Sequence, residues 1–166
     1  MKTFDEIIDF IIDNIEGGYA NIPWDKGGET NMGISVRAHP ELKGRIKDLT
    51  RDEAKEIYWD EYWLPADLPS YPEKARLVVF DGAIHHPRDN PLIVQEALNL
   101  IGFNVKKDGI VGPITKSALQ RLQKKDQLRF VSAYCRMRHE FLRTRRDYPK
   151  ARNSWDNRVY LTCAAS

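Results

Sequence analysis

The chain has little of what would place it in several large protein classes. In 166 residues there are two cysteines, Cys135 and Cys163, and no C-x-x-C pair, which excludes a disulfide framework, a zinc ribbon and a dithiol redox motif. Both are read as free thiols. Long apolar runs are missing too: the longest aliphatic or aromatic stretch is Leu77-Val78-Val79-Phe80, against the roughly 20 residues a spanning helix needs. The apolar residues between Phe4 and Ile15 are interrupted by Asp5, Glu6, Asp9 and Asp13, unlike the continuous core of a secretory signal. The expectation is a chain made in the cytosol and initially kept there. Net charge is only +2, but the mean hides an asymmetry. Up to Ala83 there are 10 Lys and Arg against 17 Asp and Glu, and beyond it 16 against 7. The acidic half suits carboxylate chemistry in a cleft, and the basic half suits nucleic acid, an anionic membrane or an anionic wall polymer.

What the chain does have is helical periodicity, in a length and a 42% hydrophobic composition that fit one compact globular domain. Phe4, Ile7, Ile8, Ile11, Ile12 and Ile15 follow helical spacing behind the capping box Thr3-Phe4-Asp5-Glu6, and Gly17-Gly18 stops the helix. Tyr19 to Ser35 is rich in Gly, Pro, Asn and Asp, which predicts a loop or short hairpin. A second capping box, Thr50-Arg51-Asp52-Glu53, opens a helix with Ala54, Ile57, Tyr58 and Tyr62 inward, ended by Pro65. Pro72 to His86 is too continuously apolar for a surface helix and predicts a buried central one. Asn90-Pro91 reads as an N-cap followed by proline, Gly112-Pro113 starts another helix, and Gln127 to Asp147 reads as a long basic helix closed by Pro149. Trp155 and Val159 are expected in a last short turn. The sum is a mainly α fold of about seven helices and one small β-hairpin.

Chemistry concentrates at the end of the first helix. Continuing its phase from Ile8 and Ile12 places Glu16 close to the buried stripe, where a carboxyl can hold a proton for donation. The glycines after it let backbone or substrate approach. Asp25 and Thr30 follow in the expected hairpin, and an acid, a second carboxylate and a hydroxyl in one cleft are minimal equipment for cleaving a glycosidic bond. The plainer alternatives are a solvent-facing Glu16 at a fraying helix end, Asp25 as a turn residue, and Tyr19 as a cover over the helix end. Glu29 reads as a hydrogen-bond partner within the hairpin and as the fallback second carboxylate.

The ordered set Glu16-Gly17-Gly18-Tyr19, Asn21, Pro23, Asp25, Gly27-Gly28-Glu29-Thr30-Asn31 and Gly33-Ile34-Ser35 resembles the signature of the glycosyl hydrolase 108 muramidases, a lysozyme-like family found in phage endolysins. The resemblance implies a lysozyme-like helical fold with a hairpin beside an active-site cleft, and it makes Glu16 the catalytic acid. The spacing E-x8-D-x4-T is similar to the triad of phage-type lysozymes, one residue shorter, and implies catalytic roles for Asp25 and Thr30. Tyr19, Trp24 and Asn31 become candidate sugar contacts. Ile22 and Trp24 depart from the acidic or small residues commoner in this loop. Further on, Phe80-Asp81-Gly82-Ala83 is similar to the family's F-D-x-A. Val94-Gln95-Glu96-Ala97-Leu98-Asn99 with Asp108-Gly109 through Thr115 resembles the predicted peptidoglycan-binding region usually joined to it. Trp155, Asn157, Arg158 and Val159 look like its terminal W-x-N-R-V. The implied organisation is a catalytic half, 1–90, and a peptidoglycan-binding half, 91–166, within one domain.

The implied activity is hydrolysis of the β-1,4 bond between N-acetylmuramic acid and N-acetylglucosamine, by an expected monomer, without metal or other cofactor. Release to the periplasmic wall would follow a holin-type or other route. Two alternatives stay open: a lytic transglycosylase on the same bond, and a non-catalytic wall-binding protein. Nucleic acid is not an expected partner, since no recognised reading motif accompanies the basic half. Ile84-His85-His86-Pro87 departs from the family pattern. Its histidines invite a metal reading with Asp81 and Asp89, which Pro87 disfavours by breaking the helix. Arg136, Arg138, Arg143, Arg145 and Arg146 read as a solvated face or as a surface for anionic outer-membrane or wall components.

Overall fold

The computed structural model describes residues 3–21 and 28–166. It is mainly helical, with seven α-helices and one two-stranded antiparallel sheet among the described residues, and it packs as two compact units, 3–61 and 62–166.

In the first unit, α1 (Phe4–Ile11) starts at the expected capping box. The Thr3 hydroxyl accepts from the Glu6 amide at 3.3 Å while the Glu6 carboxylate accepts from the Thr3 amide at 2.7 Å. Its apolar stripe buries Ile7, Ile8 and Ile11. The last turn is wider than an α-helix. Ile12–Glu16 forms a π turn closed by the Gly17 amide on the Ile12 carbonyl, and Gly17 at φ 72° ends it. Strands β1 (Thr30–Asn31) and β2 (Ile34–Ser35) make the expected hairpin. Helix α2 (Arg51–Tyr58), also opened by its capping box, continues into a second π turn, Trp59–Trp63. Arg51 clamps α2 to α1, with Nε 2.8 Å from Asp9 Oδ1 and the two terminal nitrogens forked onto Asp13 at 2.9 and 3.0 Å. That fork holds the Asp13 carboxyl below its ordinary range.

The second unit is built around α3 (Glu73–His85), which buries Ala75 and every residue from Leu77 to Ala83, as its all-round apolar sequence requires. Against it pack α4 (Asn90–Leu100), α6 (Lys124–Arg143) and α7 (Tyr148–Ala164), while α5 (Pro113–Gln120) lies on α4. Asp81, 0% exposed, ties three of these helices together. Arg138 of α6 places Nη1 2.6 Å from Asp81 Oδ2, and Arg158 of α7 donates from Nε to Oδ1 at 2.8 Å and reaches it with Nη2 at 2.7 Å. Burial alone would raise the Asp81 carboxyl, but the two guanidiniums outweigh it and hold it below its ordinary value.

Several local expectations are corrected. Arg138 is not on a solvated face: it is 1% exposed and paired inside. Asn90 does not cap α4. Its amide turns inward, donating to the Val79 carbonyl at 3.2 Å and accepting from the Tyr134 hydroxyl. The long basic helix starts three residues earlier and ends four residues earlier than its pattern predicts, because Pro149 belongs to the first turn of α7, where a missing N–H costs nothing. The last element is accordingly a 17-residue helix rather than a short turn. Cys135 and Cys163 are free. No helix among the described residues is long and apolar enough to cross a membrane.

A carboxyl lowered in the folded state stabilises the fold above its unfolded value, about 4, and loses that contribution as pH falls through the folded value. Asp81→Asn leaves two guanidiniums without their counter-charge and is expected to cost about 3–5 kcal/mol at neutral pH. Urea unfolding of both proteins checks this, the loss narrowing on acidification below about pH 4.

Candidate functional site

The site grows from two local conflicts of backbone geometry. The hairpin turns through two residues, Met32 and Gly33, both at positive φ, 48° and 80°. This is the pairing that matches the twist of a tight antiparallel hairpin. Glycine takes that conformation freely and methionine does not, so Met32 needs support. Tyr58, at the end of α2, supplies it by donating its hydroxyl to the Met32 carbonyl at 3.0 Å.

Glu16 sits at the end of the π turn, half-buried, with its side chain over the hairpin tip. A Cβ on Gly33 would stand 2.8 Å from both Glu16 Cγ and Cδ and would run into the Tyr58 hydroxyl. Gly33 is therefore glycine for two reasons, its φ and the approach of Glu16 and Tyr58. The chain leaving Glu16 returns beside β1: the Ala20 amide donates to the Thr30 carbonyl at 2.8 Å and the Thr30 amide to the Ala20 carbonyl at 2.9 Å. Glu16 and Thr30 thus belong to one small substructure made of the π turn, the 17–20 segment and the hairpin.

The other candidates fall differently. Tyr19 is 42% exposed and donates to Glu29 Oε2 at 3.3 Å, which gives Glu29 the hydrogen-bonding place expected of it. Asn31 is buried, its amide donating to the carbonyls of Ile46 at 3.0 Å and Lys47 at 3.3 Å, so its side chain ties the hairpin to the 46–48 turn. Asp25 and Trp24 lie outside the described residues. Sequence reasoning placed Tyr58 on the inward face of its helix but missed its use, because a hydroxyl serving a carbonyl 26 residues away leaves no local pattern. Among the described residues no three His, Cys, Asp or Glu side chains gather as a metal site.

In the second unit the motif residues hold each other. Gln95, fully buried on α4, donates from Nε2 to Asp108 Oδ1 at 2.8 Å and to the Ile110 carbonyl at 3.0 Å. Its Oε1 accepts from the amides of Asp108 and Gly109 at 3.1 and 2.9 Å. One turn later Asn99 brackets Val105, donating to its carbonyl and accepting from its amide, both at 2.8 Å. The Gln95 and Asn99 amides thus replace missing backbone partners for the loop that ends in Asp108-Gly109. In the same way Asp81 of one motif pairs with Arg158 of another, 77 positions on.

Residues 8–86 match the family model described as Glycosyl hydrolase 108, and residues 90–155 match the model described as Predicted Peptidoglycan domain. The first match spans parts of both compact units. Ten chains among solved structures match. One, "Structure of Brucella abortus SagA", is 27% identical with a TM-score of 0.79, over 98% of this chain and 92% of that one. No curated protein matches. A helical chain with these two matched regions is a glycoside hydrolase that acts on peptidoglycan. Its residues 8–86 belong with the glycosyl hydrolase 108 family by that match, and the chain has the lysozyme-like helical fold with its small hairpin.

Gly33→Ala forces a methyl group into Glu16 and Tyr58 at a positive φ. It is expected to destabilise the chain by about 1–3 kcal/mol and to remove most activity on sacculi, while Tyr58→Phe, which loses one hydrogen bond, costs about 1 kcal/mol. Thermal unfolding and a sacculus assay on the two variants check both.

Proposed function

We propose that the chain hydrolyses the β-1,4 bond between N-acetylmuramic acid and N-acetylglucosamine, with Glu16 as the general acid. The observation that carries this reading is the position of Glu16: half-buried, at the end of a π turn, and packed over a hairpin tip that tolerates no side chain. A carboxyl placed there by backbone on two sides can be held in one orientation toward a leaving oxygen. π turns recur at functional positions because the inserted residue re-aims the side chains around it.

In this mechanism Glu16 protonates the leaving glycosidic oxygen. Asp25 either stabilises the positive charge that develops on the sugar or, with Thr30, positions the attacking water, and the separation of the two carboxyls decides between inversion and retention. Tyr19, by its exposure, and Trp24 contact the sugar, whereas Asn31 acts through the hairpin it anchors. Residues 1–90 carry the chemistry and 91–166 hold the polymer. The place of action is the cell wall, reached from the cytosol by holin-type or other release, and the outcome is bacterial lysis.

Purified sacculi, or Gram-negative cells with permeabilised outer membranes, test this by turbidity loss. Glu16→Gln keeps the shape and removes the acid, and is expected to lower the rate by roughly a hundredfold or more. Equal rates for the two proteins would sink the catalytic assignment.

A further inference from the structure

His85 and His86, which depart from the family pattern, end α3 against a cavity of about 330 Å³ in the second unit. That volume is within the range of small-ligand sites, about 300–1,000 Å³. Its walls come from the end of α3, the following loop, α6 and α7. Two aromatic rings, Phe141 and Trp155, flank the imidazoles: His86 tilts against Phe141 with ring centres 5.2 Å apart, and His85 meets Trp155 edge-on at 5.4 Å. Arg88 and Arg145 are exposed at the same cavity, Arg145 lying over the Phe141 ring at 5.2 Å. Asp89 is the single carboxylate of the lining.

His86 is 9% exposed, and neither of its ring nitrogens has a hydrogen-bond partner. A buried polar group in that state costs stability unless something supplies the missing partner. Burial first, then the neighbouring guanidiniums of Arg158 and Arg138, hold His85 down to about 4, and burial with Arg138 holds His86 lower still. Near neutral pH both rings are uncharged, each with one donor and one acceptor nitrogen. His85 Nδ1 lies 3.5 Å from Arg138 Nη2, which makes Nδ1 the acceptor and leaves the proton on Nε2. The cavity thus offers neutral donors and acceptors at its base, aromatic faces on its sides and an excess of positive charge at its mouth.

We propose that this cavity binds the acidic stem peptide of peptidoglycan, the guanidiniums of Arg88 and Arg145 receiving its free carboxylates and the imidazoles its amides. The inference deepens the proposed function and rests on it for the identity of the polymer. The uncharged glycan backbone offers the two guanidiniums no counter-charge, whereas the peptide combines amides, short aliphatic side chains and carboxylates, the partners that this lining suits.

Isothermal titration of the full chain with the tetrapeptide L-Ala-γ-D-Glu-meso-diaminopimelate-D-Ala tests the proposal, with peptide-free chitotetraose as the contrast. Saturable binding of the tetrapeptide is expected, weakened about tenfold or more by Arg145→Glu and by Arg88→Glu and less by Arg145→Lys. Both arginines are exposed, so these variants are expected to stay folded, which circular dichroism checks. Absence of saturable binding, equal binding by wild type and both charge-reversed variants, or loss of chitotetraose rather than tetrapeptide binding in those variants would overturn it. Glu16→Gln separates this failure from that of the catalytic reading. Tetrapeptide binding that survives in a chain unable to cut sacculi supports the cavity alone, and cutting by a wild type that does not bind the tetrapeptide overturns the cavity alone.

Discussion

Asp81 is a carboxylate wholly removed from water, and the arrangement of the second unit depends on how its charge is met. Two guanidiniums from different helices, Arg138 and Arg158, converge on it with separations of 2.6 to 2.8 Å. Such a buried cluster adds little net stability, since desolvating three charges offsets most of their attraction. We read its contribution as register. One rotation of α6 and one of α7 bring their guanidiniums to Asp81, and a turn away from either would leave a charge without its partner. The same rotation brings Arg138 beside His85, so the cluster also shapes the cavity at the end of α3.

The first unit solves a different problem, holding a carboxyl over a hairpin tip. Two capping boxes start its helices and the Arg51 fork holds them together. The π turn then changes the phase at which Glu16 leaves α1, and Gly33 leaves out a side chain that would run into it. Support for the strained Met32 comes from Tyr58, so the geometry around Glu16 is set by groups outside the signature motif as well as within it.

Much of this was legible in the sequence, for identifiable reasons. Both capping boxes, the buried α3 and the glycine stop after Glu16 are local signals, and each is where it was expected. The two π turns were not legible, because each falls at the end of its helix, where no later apolar position follows to reveal the change of phase. Arg138 was misplaced because an arginine among arginines looks solvated, and only Asp81, 57 residues earlier and on another helix, reveals the pairing. Asn90 misled for the converse reason: Asn before Pro is a sound capping signal, yet the Tyr134 hydroxyl and the Val79 carbonyl compete for its amide and win. The motif residues Gln95, Asp108 and Asn99 bond to one another and to backbone. At the candidate site, Glu16 and Thr30 stand within the motif, while the hydroxyl of Tyr58 serves the hairpin from outside it.

The central claim, that this chain adds water to a glycosidic bond, is tested most directly by digesting sacculi in heavy-oxygen water and weighing the released fragments. Hydrolysis predicts reducing N-acetylmuramic acid ends that carry the heavy oxygen. Anhydro-muramic acid ends without the label would contradict it and make the enzyme a lytic transglycosylase.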